Sequence, residues 1–326
     1  MRIVAFTTLC VALFIVGAPW ADAASGCRPE VRGQAVLKAL SPGLNTVSGP
    51  LSGFDPCDGS VEFRFSRGAG PQPLVILVHG AGGISDVQNL AQALHDGGVS
   101  VLLFDAYLMN GFQASPAFWI REATYEARQR MIYTVARDAV DWVSAHPRVD
   151  QSKLYVYGLS NGADVVANLA AAVGPAQVRA VFAEGMAGAG LGLPDQPKVP
   201  IFAIFGRLDN YAAVRADDWR WLRRVPCSYN LQTTLVPTGN AAKCNARTNP
   251  AEQTQSPEEW IAGRRAEGAS ITVWFLDAAA HGIFLGPLRE RRNAWGNGHV
   301  LHANTGATDA ARAELLQRMM AVIQQR

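Results

Sequence analysis

Apolar residues follow two alternating rhythms along this chain. Short, largely apolar runs, Leu74-Val75-Ile76-Leu77-Val78, Val99 to Phe104, Lys153-Leu154-Tyr155-Val156-Tyr157, Val178 to Ala183, Val199 to Phe205 and Ile271 to Leu276, alternate with stretches of helical spacing. A strand buried on both faces reads as a continuous apolar run, and a helix lying on a sheet shows one apolar stripe every three to four residues. The stripes are Leu90, Ala91 and Leu94; Ile132, Val135, Ala136, Ala139, Val140 and Val143; Val166, Ala167 and Ala170; and Leu315, Leu316, Met319 and Val322 in a closing helix from Thr308 to Ile323. Ser85 stands where it can cap the first, Gly97-Gly98 end it, and Pro147 stops the second. The pattern predicts the α/β class, a mostly parallel central sheet flanked by helices on both faces.

Two stretches break the rhythm. Residues 25–70 are a Gly-, Pro- and Ser-rich lead-in whose Val61, Phe63 and Phe65 alternate like an edge strand. Residues 217–268 read as an irregular excursion before the last strand, an insertion or lid opened by Trp219 and Trp221. The expectation is one domain over residues 25–326.

Before it, Met1 and Arg2 precede an apolar run from Ile3 to about Gly17, then Ala21 and Ala23 in an A-x-A arrangement. This is the pattern of a cleaved signal peptide over residues 1–24, and the run is shorter than the ~20 residues that span a bilayer. A secreted or periplasmic protein without a stable membrane anchor is expected. Four cysteines then remain, Cys27, Cys57, Cys227 and Cys244, and the shortest loops pair Cys27 with Cys57 and Cys227 with Cys244. No CxxC spacing suggests a metal site, and no cofactor is expected. The net charge of +2, with no basic stripe, argues against nucleic acid as a partner.

Candidate chemistry gathers at strand ends. The run ending at Tyr157 leads straight into Gly158-Leu159-Ser160-Asn161-Gly162 and then a helix, the strand-turn-helix setting that presents a nucleophilic serine. A serine hydroxyl needs a base, and the base an orienting carboxylate. His281, in Asp277-Ala278-Ala279-Ala280-His281-Gly282, follows the final strand closely, whereas His299 and His302 fit no strand end. Asp209, after Gly206-Arg207-Leu208, is preferred to Asp277 as the acid because the three groups then use three separate strand ends. For an oxyanion hole, the backbone N–H of Asn161 and one from His79-Gly80-Ala81-Gly82-Gly83 are expected, Ala81 first and Gly82 second, with His79 bracing that turn. Tyr107, Phe112, Phe118 and Trp119 are candidates to line an acyl pocket.

Four segments, Val78-His79-Gly80-Ala81-Gly82-Gly83, Tyr157-Gly158-Leu159-Ser160-Asn161-Gly162, Phe205-Gly206-Arg207-Leu208-Asp209 and Ala280-His281-Gly282-Ile283-Phe284, resemble the dienelactone hydrolase family of the α/β-hydrolase fold. The resemblance extends over roughly residues 70 to 325. The namesake enzymes carry cysteine where this chain has Ser160. What the resemblance implies is therefore cleavage of a small-molecule ester through an acyl-enzyme on Ser160. The same triad serves an amidase or peptidase, and a non-catalytic binding protein on this scaffold is the alternative from another class.

Overall fold

The apolar runs lie side by side. A computed structural model describes residues 51–68, 70–114, 125–213, 215–224, 255–295 and 299–325. The segment expected to be a signal peptide, most of the lead-in, Phe118, Trp119, the middle of 217–268 and Cys27, Cys227 and Cys244 lie outside them, and with those cysteines both expected disulfides.

Seven strands form one sheet: β1 (Val61–Arg64), β2 (Gln72–Val78), β3 (Ser100–Phe104), β4 (Val149–Leu159), β5 (Ala180–Glu184), β6 (Ile201–Gly206) and β7 (Ile271–Leu276). Their order is β1-β3-β2-β4-β5-β6-β7. All neighbours are parallel except β1, an antiparallel edge strand on β3. This is the α/β-hydrolase arrangement expected.

Successive residues of one strand enter opposite cores, which is why β2 is apolar without interruption from Leu74 to Val78. Leu74, Ile76 and Val78 join Ile132, Val135, Ala139, Val166 and Leu169 of α3 (Tyr125–Ser144) and α4 (Asn161–Ala172). Val75 and Leu77 join Leu90 and Leu94 of α1 (Gln88–Asp96) and Leu315 and Met319 of α6 (Asp309–Ile323) on the other face. Thr308 caps α6 through the Ala311 N–H, and its buried stripe is Ala311, Leu315, Met319 and Ile323, with Leu316 and Val322 at the flanks. Helix α2 (Ala106–Met109) is capped by the Asp105 carboxylate.

The order reverses at β2. The chain passes from β2 to β3 on one side and returns to β4 on the other, with Val78 opposite Gly158. Where neighbouring strands lead their connections to opposite faces, a crevice opens beyond their carboxyl ends.

Three local readings change. Ser85 does not cap α1: a 3-10 turn over Gly83–Asp86 precedes the helix and the Ser85 hydroxyl donates to the Gly82 carbonyl. The excursion is not irregular throughout, since α5 (Pro257–Ala266) opens on a capping box between Ser256 and Glu259. It buries Trp260 and Ile261, too few apolar positions to mark a period. Trp221 packs edge-on against Phe205 and Phe275 at the sheet rather than standing as a lid. His299 and His302 begin and end β9 (His299–His302), paired with β8 (Arg292–Trp295) in a second, two-stranded sheet. Among the described residues no helix is long and apolar enough to cross a membrane.

Candidate active site

Ser160 sits where β4 turns into α4, with φ 57° and ψ −111°. A non-glycine residue held in such a region costs on the order of 1–3 kcal/mol and persists only where its surroundings fix it. Here they do. A Cβ on Gly158 would lie 2.1 Å from the Gly162 carbonyl oxygen, and one on Gly162 would lie 2.5 Å from that of Val78. The two glycines therefore let helix and strand close on each other, while the Ser160 N–H donates to the Glu184 carbonyl at 2.9 Å.

His281 and Asp209 meet from the ends of β7 and β6. Imidazole Nδ1 donates to Asp209 Oδ2 at 2.9 Å, and both side chains are almost fully buried. The Tyr211 N–H holds the other carboxylate oxygen at 3.1 Å, and the Tyr211 ring stacks on the imidazole with centroids 4.5 Å apart. Asp277 instead faces solvent in an ion pair with Arg207, so the carboxylate paired with His281 is that of Asp209. Gly185, at φ +65°, lies under the pair: a Cβ there would come within 2.9 Å of the imidazole. Because Gly185 follows Glu184, one strand end supports both the nucleophile turn and the base.

Burial disfavours the imidazolium and lowers the His281 pKa below its ordinary value, against the pull of Asp209 and with the help of the Arg220 charge. Burial alone would raise the Asp209 pKa. The His281 charge and hydrogen bond, the Arg220 charge and the Tyr211 N–H outweigh it, and the carboxyl is lowered. The pair thus rests as neutral imidazole beside carboxylate, the state a general base requires.

The expected oxyanion turn lies against Ser160: a Cβ on Gly80 would be 3.3 Å from Ser160 Cβ. The Gly82 N–H, the second choice as donor on that turn, is committed to Asp86 Oδ2 at 2.8 Å. Asn161 opens α4, where helix geometry leaves the first N–H groups without intrahelical partners. His79 braces the turn as expected: its Nε2 accepts from the Ala106 N–H at 3.0 Å, so Nδ1 carries the proton and donates to the Gly80 carbonyl. Tyr107 is fully buried beside it, with its hydroxyl between Gly80 and the Asn161 side chain. Phe112 is buried too, and among the described residues no group of three or more His, Cys, Asp and Glu side chains is placed to hold a metal.

A family model for dienelactone hydrolases matches residues 63–232, more than half of the 326-residue chain. The chain belongs to the dienelactone hydrolase family. It is accordingly a hydrolase of the carboxylic ester hydrolase type. No curated protein sequence matches it. Among solved structures it is similar to a candidate dienelactone hydrolase from Klebsiella pneumoniae subsp. pneumoniae (16% identity, 82% of this chain and 100% of that one, TM-score 0.49). It is also similar to a dienelactone hydrolase-like promiscuous phosphotriesterase from metagenomic libraries (16% identity, 81% and 90%, TM-score 0.47). A third is a serine hydrolase without a lid from Xanthomonas campestris (16% identity, 68% and 79%, TM-score 0.41).

In this dienelactone hydrolase family member several supporting residues escaped the sequence reading. Arg220 is buried behind the pair, its N–H donating to the Asp209 carbonyl and its guanidinium to that of Gly185. Asp164 of α4 accepts the N–H groups of Ala187, Gly188 and Ala189 and the Gln129 side chain, pinning the loop after β5. Glu184 is a fully buried acid at the end of an apolar strand, an anomaly visible in Val181-Phe182-Ala183-Glu184-Gly185. The segment before α6 was missed as well. Ala280 and His281 donate to the carbonyls of Gly306 and Asn304, the Gly306 N–H returns to that of His281, and the Ala212 N–H donates to His302. Asn304 also donates to the Asn210 side chain, so the acid and base loops lean on the same piece of chain.

Proposed function

We propose that this protein cleaves a carboxylic ester of a small molecule through an acyl-enzyme on Ser160. The buried Asp209–His281 hydrogen bond, formed beyond the same sheet edge from which the strained Ser160 turn rises, carries this reading. Ser160 Oγ attacks the carbonyl carbon and its proton passes to His281 Nε2. Asp209 holds the imidazole in the Nδ1–H form and stabilises the imidazolium. The N–H groups of Asn161 and Ala81 take the oxyanion, and its collapse expels the alcohol, protonated by His281. Water, deprotonated by His281, then releases the acid and restores Ser160. These steps call on no metal or cofactor. The basic and apolar start of the chain with its A-x-A site supports export, and the even cysteine count that remains supports two disulfides.

The test is hydrolysis of p-nitrophenyl esters from acetate to decanoate by the purified protein, with Ser160→Ala and Asp209→Asn alongside. Wild-type turnover is expected, with Ser160→Ala reduced by several orders of magnitude and Asp209→Asn by on the order of 10³ to 10⁴ in kcat. A wild type that hydrolyses none of them and takes no fluorophosphonate on Ser160 refutes the esterase reading. Turnover of amides but not esters would transfer the same triad to an amidase.

A further inference from the structure

Glu184 closes β5 and is fully buried, while the four residues before it are buried and apolar. Nothing in the packing of that strand calls for an acid. Its three acceptor atoms are nonetheless all used, each on a different part of the site. The main-chain carbonyl accepts the Ser160 N–H at 2.9 Å. Oε1 accepts the Ile283 N–H at 2.6 Å, two residues beyond His281. Oε2 accepts the Tyr157 hydroxyl at 2.6 Å, from the strand that delivers the nucleophile. One residue thus joins the turn bearing Ser160, the loop bearing His281 and β4.

Resting on the acyl-enzyme reading above, we propose that Glu184 is the positioning residue that sets His281 against Ser160, its carboxyl tethering the base loop while its backbone tethers the nucleophile turn. Other attachments of the base loop come from Asn304 and Gly306 ahead of α6, from the Leu208 N–H to the Ala279 carbonyl, from the Asn89 side chain to the Phe284 carbonyl and from Asp209 to the imidazole itself; none of them touches the Ser160 turn. Glu184 supplies the attachment that refers the imidazole directly to the serine. A displacement of about 1 Å between reacting groups can cost on the order of 100-fold in rate, with substrate binding little changed.

Glu184→Ala, Glu184→Gln and wild type are compared for kcat and KM on p-nitrophenyl butyrate, with melting temperature and the rate of fluorophosphonate labelling measured on the same samples. Glutamine keeps an oxygen for the Ile283 N–H and places its amide beside the Tyr157 hydroxyl, so its kcat should stay within about fivefold of wild type. Alanine removes the tether. Its kcat and labelling rate should fall on the order of 100-fold while KM moves less than about threefold. Folded Glu184→Ala with wild-type kcat, or Glu184→Gln as impaired as alanine, overturns the assignment. If alanine does not fold, Glu184→Leu, which fills the volume without an acceptor, takes its place in the comparison. Failure of both to fold beside a sound glutamine variant makes Glu184 a stability residue and also overturns it. A wild type that neither turns over ester nor takes the label removes the acyl-enzyme reading and this inference together. An active wild type with an indifferent Glu184→Ala removes this inference alone.

Discussion

Replacing Glu184 by glutamine should make the stability of the protein less sensitive to alkali, by an amount that follows from where the acid is buried. Burial pushes its pKa from the ordinary 4.5 to about 7; the hydrogen bonds from Tyr157 and Ile283 pull it down and the Asp209 charge pushes it up, without reversing the burial effect. In the unfolded chain the group loses its proton near 4.5, whereas in the fold it keeps it until about 7. Its contribution to stability is therefore complete below 4.5, declines as pH rises, and is lost once the folded carboxyl ionises. At about 1.4 kcal/mol for each pH unit between the two values, the loss between pH 4.5 and 8 is about 3 kcal/mol. Glutamine exchanges no proton and escapes it. Urea unfolding of both proteins at pH 5 and pH 8 gives the difference directly, and the titrations of Asp209 and His281, shared by both, cancel. The variant should gain about 2.5 kcal/mol on wild type between pH 5 and pH 8, worth several degrees of melting temperature in a chain of this size. A difference that stays flat, or that favours wild type at pH 8, refutes the buried-acid argument.

Because burial lowers the His281 pKa, kcat/KM for ester hydrolysis should hold below pH 6.5 before the base is protonated, and an acid limb centred above pH 7 would contradict this. Arg220→Gln removes a positive charge that disfavours the imidazolium, so the same limb should move to higher pH; no movement, or movement downward, would remove Arg220 from the electrostatics of the pair. Gly162→Ala forces a Cβ to 2.5 Å from a backbone oxygen that has little room to yield, and should cost about 1–3 kcal/mol in thermal unfolding together with most of the activity. A fully active, equally stable Gly162→Ala protein would mean the turn is looser than its geometry indicates.

The sheet and the placement of Ser160, Asp209 and His281 beyond strand ends were legible for the same reason. Strands entering two cores at once leave largely apolar runs, and each run gives way to glycine or a polar residue at or near the point where the chain leaves the sheet, as at Gly158, Gly206 and after Leu276. What was not legible depends on burial that a single chain does not display. Arg220 looks like an ordinary solvated charge, and Glu184 stands out at the end of an apolar run without showing what it binds, yet both are buried through partners distant in sequence. The Arg292–Trp295 strand was missed because Arg292-Asn293-Ala294-Trp295 has neither an apolar run nor a clean alternation. The preference for Asp209 over Asp277 rested on the use of three separate strand ends, and the exposure of Asp277 beside the buried Asp209–His281 pair adds a physical reason.

The leaning of both the acid and base loops on residues 302–306 has a consequence for when this chemistry becomes available. During synthesis a chain emerges and folds from its N-terminal side. The Ser160 turn and the strands that shape it come first, and the loop bearing His281 gains its contacts with residues 304–306 only when the segment ahead of α6 has passed along it. Until then part of the support under His281 is missing, and the proposed triad is fully braced only as the last helix docks.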